Sequence, residues 1–206
     1  MIRAVIFDWG GVIQRTLERR PRRELAAELG LSTQDLEHAV FDSEMWQRAS
    51  IGEVDADAAW AAMAGALGWP GHRVDDLVER FFAGDRLDAR LISLVRHLRA
   101  EGLRVVLLSN ALPPRSTGGT AGRWGLDGLF DTQVFSYEVG HLKPHPAMYR
   151  AALEATGVAA DEALFVDDVE ANVQGARAVG LHAVRFVGTD ALLGSMRDLG
   201  LPAMCQ

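Results

Sequence analysis

Four short stretches hold the residue types that chemistry on an anionic substrate requires: Asp8-Trp9-Gly10-Gly11, Ser109-Asn110, Gly140-His141-Leu142-Lys143-Pro144 and Asp167-Asp168. Three of them follow an apolar run of strand length directly, and the lysine stretch follows a weaker run by a few residues. In open parallel sheets, ligands sit outside the carboxyl ends of the strands, near the point where strand order reverses. Three carboxylates, a hydroxyl, an amide and a lysine are therefore expected on one rim. Such a set suits phosphoryl transfer through a covalent aspartyl phosphate. Clustered carboxylates need a cation or a proton to coexist, and an oxygen-rich site holding a phosphate suits Mg²⁺. Ser109, Asn110 and Lys143 can then hold the oxygens of the transferring group, where charge develops.

The elements that must deliver these residues are legible from periodicity. Ile2 to Phe7, Leu103 to Leu108, Ala163 to Val166 and His182 to Val187 read as buried parallel strands. A weaker fifth, Gln133 to Ser136, follows the turn-like Asp127-Gly128. Helical patterns cover Ala89 to Ala100, Ala147 to Thr156, Glu170 to Val179 and Ala191 to Leu199, each with a glycine just past its end. This alternation predicts an α/β fold, a parallel sheet covered on both faces. From Leu17 to Phe82 the signals are helical only, with helices drawn over Arg22 to Leu29, Gln34 to Phe41, Ala56 to Leu67 and Val74 to Phe82. We read residues 17–83 as a small all-helical insert after the first strand, and 1–16 with 84–206 as the α/β core.

Composition narrows the classes. The 206 residues are 49% hydrophobic and 24% charged, with a formal net charge of -7. An acidic surface argues against nucleic acid or anionic membrane as the main partner. The single cysteine, Cys205, rules out an internal disulfide framework and is read as inert. The apolar start is too short for a signal peptide, and no run reaches membrane-spanning length. The expected location is cytoplasmic. Monomer and homodimer are both left open.

Taken together, Val5-Ile6-Phe7-Asp8-Trp9-Gly10-Gly11-Val12, Leu107-Leu108-Ser109-Asn110, Gly140-His141-Leu142-Lys143-Pro144-His145-Pro146 and Phe165-Val166-Asp167-Asp168-Val169-Glu170-Ala171-Asn172 resemble the haloacid dehalogenase superfamily. The likeness runs closest to the branch of soluble epoxide hydrolase N-terminal phosphatases and sugar-phosphate phosphatases. It implies a small helical cap on a Rossmann-like core, and Mg²⁺-dependent hydrolysis of a small phosphorylated metabolite. It also implies Asp8 as nucleophile and metal ligand, with the Gly10 carbonyl and Asp168 as further ligands. Asp167 and Asn172 would support the metal shell and the lysine. Trp9 either floors the substrate pocket or packs against the insert. The resemblance departs at Gly10, where phosphatases of the family usually carry a second aspartate as general acid and base, worth about 10²–10⁴ in rate. Three outcomes follow: a slow or leaving-group-restricted phosphatase, a non-catalytic phosphometabolite-binding protein, or a metal-independent 2-haloacid dehalogenase. Loop histidines His141 and His145 receive no role.

Overall fold

A computed structural model describes residues 1–116 and 128–202. Asp127, the glycine pair Gly118-Gly119 and Cys205 lie outside the described residues. Among those described, the strands are β1 (Ala4–Phe7), β2 (Gln14–Thr16), β3 (Asp85–Leu87), β4 (Arg104–Ser109), β5 (Thr132–Phe135), β6 (Ala163–Asp167) and β7 (His182–Arg185). Helices α1 (Arg20–Glu28), α2 (Thr33–Phe41), α3 (Glu44–Ser50), α4 (Ala56–Ala66) and α5 (Val74–Phe82) lie between β2 and β3. Then come α6 (Ala89–Ala100), α7 (Ser136–Val139), α8 (Pro146–Thr156), α9 (Glu170–Ala178) and α10 (Thr189–Asp198).

Five strands form one sheet in the order β5-β4-β1-β6-β7, and every pair in it is parallel. Side chains alternate across a strand, so β1 feeds two cores. Val5 and Phe7 pack with Leu91, Leu94, Val95 and Leu98 of α6 and with Leu192 and Met196 of α10. Ala4 and Ile6 pack with Met148, Tyr149 and Ala152 of α8 and with Val173 and Ala176 of α9. The result is the Rossmann-like three-layer α/β arrangement, with order reversing beside β1. Register then decides what meets at the rim. Phe7 lies opposite Leu107 of β4 and Val166 of β6, so the next residues along, Asp8, Leu108 and Asp167, stand at one level.

Helices α1 to α5 surround a third apolar cluster that includes Leu25, Leu36, Val40, Trp60, Met63, Leu77 and Phe81. The sequence reading draws four helices there, and the structure adds α3. This helix has only two turns, too few for a periodicity signal; its start is set by Ser43, whose side chain accepts the Trp46 amide at 3.1 Å. Helix α1 begins at Arg20 rather than Arg22, since Pro21 suits a first helical turn. The weak strand ends at Phe135, and Ser136 opens a short helix instead. β7 stops at Arg185, leaving Val187 72% exposed.

The antiparallel pair β2–β3 was not expected. Its strands, Gln-Arg-Thr and Asp-Arg-Leu, are three residues each and mostly polar, so they carry no alternation to detect. The chain leaves for the helices and returns through this pair, and polar contacts hold it together with Leu87, which packs against the sheet core. Asp85, nearly buried, accepts from Gln14 at 2.6 Å, Thr16 at 2.6 Å and Arg22 at 3.3 Å. Arg22 also donates to the Phe81 carbonyl at 3.1 Å and to Glu37 at 2.8 Å. Removing one member of a buried ion pair leaves the other charge uncompensated. Asp85→Ala is expected to cost about 3–5 kcal/mol of stability, read as a lower denaturant midpoint; a loss within that of an ordinary surface substitution would refute this account of the hinge.

Candidate active site

β1 ends where Asp8 begins, and the chain turns sharply: Gly11 N–H donates to the Gln14 carbonyl at 2.8 Å and Gln14 N–H to the Trp9 carbonyl at 2.9 Å. The turn leaves the Gly10 carbonyl without a hydrogen bond from any described residue. Gly11 is required here for two reasons. Its φ is +83°, and a Cβ built on it would lie 2.2 Å from Asp168 Oδ2. A side chain at position 11 would therefore displace the Asp168 carboxylate. Nothing lies within 4 Å of a Cβ built on Gly10.

Three carboxylates meet at this point. Single oxygens of Asp8, Asp167 and Asp168 all lie within 4.8 Å of one another. Lys143 stands between two of them, its ammonium 2.6 Å from Asp8 Oδ1 and 2.7 Å from Asp167 Oδ2, with its side chain 1% exposed. It also donates to the Leu108 carbonyl at 3.1 Å. Asp8 Oδ1 accepts the Trp9 amide at 2.7 Å as well. Asp167 is fully buried; it accepts from Asn172 at 3.1 Å on both oxygens and from the Val169 amide at 2.8 Å.

The lysine loop is itself held. Asn110 clamps the Lys143 backbone from both sides, accepting its N–H at 2.8 Å and donating to its carbonyl at 3.2 Å. One N–H and the oxygen of the Asn110 amide thus place Lys143, and Asn110 also lines the cavity, where the sequence reading assigns it to substrate. The Tyr149 hydroxyl donates to the Asn172 carbonyl at 2.7 Å. Gly175 lets α9 approach this loop, since a Cβ there would sit 2.8 Å from Pro144 Cβ and 2.8 Å from the Tyr149 oxygen. Ser109, the last residue of β4, is buried beside the cavity. Trp9 lines the cavity too, and its indole N–H donates to the Gln14 side chain. It packs against the sheet core and not against the helical unit's apolar cluster, so the expectation that it packs against the insert is not met. His141 and His145 stack on each other at 3.9 Å and do not line the cavity.

The electrostatics are those of excess negative charge. Burial first, and Asp167 second, push Asp8 up to about 7 despite the opposing pull of Lys143. Burial and Asp167 also raise Asp168. Burial would lower Lys143, but Asp8 and Asp167 outweigh it and hold its pKa above the usual lysine value. One lysine thus leaves this trio under-compensated. An all-oxygen donor set with unneutralised charge fits a hard divalent cation, with Asp8, Asp168 and the free Gly10 carbonyl as the groups able to hold it.

Gln14, Asp85, Arg22 and Gly175 are positioning residues that sequence reasoning missed. Gly175 alone left a signal, a glycine inside a predicted helix.

An open α/β sheet with a carboxylate cluster at its switch point and a helical unit over it defines a class of hydrolase. The chain belongs to the haloacid dehalogenase-like hydrolases: that family's profile matches residues 2–180. A sesquiterpene phosphatase of Aspergillus oryzae is 28% identical over 96% of this chain and 96% of its own. A phosphoserine phosphatase of Thermus thermophilus is 36% identical over 71% of this chain and 64% of its own. A haloacid dehalogenase family enzyme of Bacteroides thetaiotaomicron, crystallised with magnesium and inorganic phosphate, shares the fold with a TM-score of 0.71 at 22% identity, over 92% of this chain and 97% of that one. No helix among the described residues is long and apolar enough to cross a membrane.

Two tests follow. Gly11→Ala should weaken the cation-induced rise in melting temperature at least tenfold in apparent affinity, while Gly10→Ala, which keeps the carbonyl and meets no neighbour, should leave most of it; equal effects would refute the geometric argument. The second uses pH. A carboxylate raised to about 7 keeps its proton in the fold and loses it in the unfolded chain, so cation-free stability falls as pH rises from the ordinary carboxylate range to about 7 and is level above that. A divalent cation offsets the exposed charge, and its stabilisation should be larger at pH 8 than at pH 5 in thermal melts. A shift independent of pH would contradict the raised Asp8.

Proposed function

We propose that this chain is a Mg²⁺-dependent phosphatase that attacks phosphorus with Asp8 and is restricted to leaving groups that need little or no proton. The observation that carries the proposal is the trio of carboxylates from two adjacent strand ends, two of them bridged by one buried lysine. Named phosphatases among the relatives support the reaction class, and the magnesium in the Bacteroides enzyme supports the metal. When bound, Mg²⁺ supplies positive charge that lets an anionic nucleophile approach an anionic substrate.

The residues then divide the work. Asp8 Oδ1 is fixed by Lys143 and by the Trp9 amide, which sets the plane of the carboxylate. An Asp8 oxygen bonds to phosphorus while the bond to the leaving oxygen breaks, its electron pair staying with that oxygen. Water then cleaves the acyl phosphate and restores Asp8. Lys143 and Ser109 face the phosphoryl oxygens, and Asp167 with Asn172 keeps Lys143 aimed. The helical unit over residues 17–83 acts as a lid that excludes water.

Gly10 accounts for the restriction. It offers a carbonyl to the cation and no acid to the leaving group. The same glycine favours a second reading, a protein that binds a small phosphorylated metabolite without turnover. The Asp8, Asp167 and Asp168 cluster, which calls for neutralising charge, weighs against a metal-independent dehalogenase.

The natural protein should release p-nitrophenol from p-nitrophenyl phosphate with Mg²⁺, lose that activity with EDTA, and lose it in Asp8→Asn. Gly10→Asp, for which there is space, should raise hydrolysis of simple alkyl phosphates by about 10²–10⁴ and that of the nitrophenyl ester far less. Release unaffected by Asp8→Asn would refute the mechanism. Turnover seen only in Gly10→Asp would establish the binding protein instead.

A further inference from the structure

The cavity over the carboxylates measures about 1810 Å³, well above the roughly 300–1,000 Å³ usual for small-ligand sites. A phosphate on a short polyol would leave most of it to water. One wall is apolar and continuous. It begins at Leu112, three residues past Ser109, which packs against the helical unit's core. It continues through Phe41, Trp46, Trp60, Val78 and Phe82.

Neighbouring rings of this wall meet edge to face. Phe41 and Trp46 are 4.9 Å apart at 88°, Trp46 and Trp60 6.1 Å at 89°, and Trp60 and Phe82 5.9 Å at 79°. Rings locked this way present a ridged hydrocarbon surface rather than parallel plates for a flat base. Trp60 belongs to the helical unit's buried core, and Trp46, Val78 and Phe82 pack against that core while staying only partly buried. Phe41 by contrast is 37% exposed and lines the cavity. Of the charges lining the cavity, Arg22 pairs with Glu37 and Asp85 and Arg115 with Asp75, while Arg19, Asp42 and Glu79 form no ion pair among the described residues.

We infer that the substrate is the diphosphate of a long flexible hydrocarbon, with its terminal phosphate at Asp8 and Lys143 and its chain along Phe41, Trp46 and Phe82. The inference rests on the phosphatase reading above and adds the substrate class. It also reconciles the apolar wall with Gly10. Asp8 takes the terminal phosphorus, the bridging P–O bond breaks, and the electron pair stays on the hydrocarbyl monophosphate, a weak base that needs no proton. Water releases inorganic phosphate from Asp8.

The test measures phosphate release with Mg²⁺ from dimethylallyl, geranyl and farnesyl diphosphates, from geranyl monophosphate, and from guanosine diphosphate. kcat/KM should rise about tenfold or more from the dimethylallyl to the geranyl compound, since each methylene laid on the wall adds up to about fourfold. The diphosphate should exceed the monophosphate by about 10²–10⁴, the value of a missing acid. In Phe41→Ala the geranyl-to-dimethylallyl ratio should fall at least fivefold. A flat chain-length series, a monophosphate used as well as the diphosphate, or preference for the guanosine compound would each overturn the inference. p-Nitrophenyl phosphate, run alongside, separates the two failures: Asp8-dependent release there with a flat series sinks only the substrate class, and no release from any compound sinks the phosphatase itself.

Discussion

Too much negative charge in too small a volume is the constraint from which the rest of the structure follows. Asp8, Asp167 and Asp168 crowd within 4.8 Å, and one ammonium serves two of them. Burial makes each charge costly and each contact strong. Lys143 can hold its position only because Asn110 fixes its backbone and Asp167 its head, and Asp167 is fixed in turn by Asn172 and the Val169 amide. These contacts tie β4, β6, α9 and the lysine loop together at the sheet's switch point. The charge they leave over is what draws a cation to the site.

The second organising feature is the hinge. A three-residue strand pair carries the chain into and out of the helical unit, secured by Asp85 and Arg22 as well as by Leu87 against the sheet core. Through Gln14 the same network reaches Trp9, the neighbour of Asp8. Directional polar contacts hold one geometry well and are lost together when it changes. The helical unit is thus linked by side-chain contacts to the turn that carries Asp8. A clamp on the other side, Arg115 with Asp57 and Asp75, joins the loop after β4 to α4 and α5.

Two adjacent glycines divide the rim's chemistry. Gly11 is forced, by its φ and by the Asp168 carboxylate packed against it. Gly10 is not forced by sterics, since a side chain would fit. Under the proposed reaction, Gly10 leaves position 10 without a side-chain proton donor for the leaving group.

From the residues alone, the alternation of apolar runs with helical periods was enough for a parallel α/β sheet, because buried strands must be continuously apolar. The same pattern located Asp8, Ser109, Lys143 and Asp167-Asp168 at carboxyl ends of strands or in the loop beyond. Tertiary structure alone decided the rest. The clamp by Asn110, the demand for Gly175 and the Gln14–Asp85–Arg22 network join residues far apart in the chain, and no local periodicity records a contact made across that distance. The helix α3 and the strands β2 and β3 were too short to carry a period. The aromatic wall could be listed as apolar residues, but whether Phe41 and Trp46 fill a core or face a cavity depends on which side of each helix the packing leaves uncovered, and only the assembled fold fixes that.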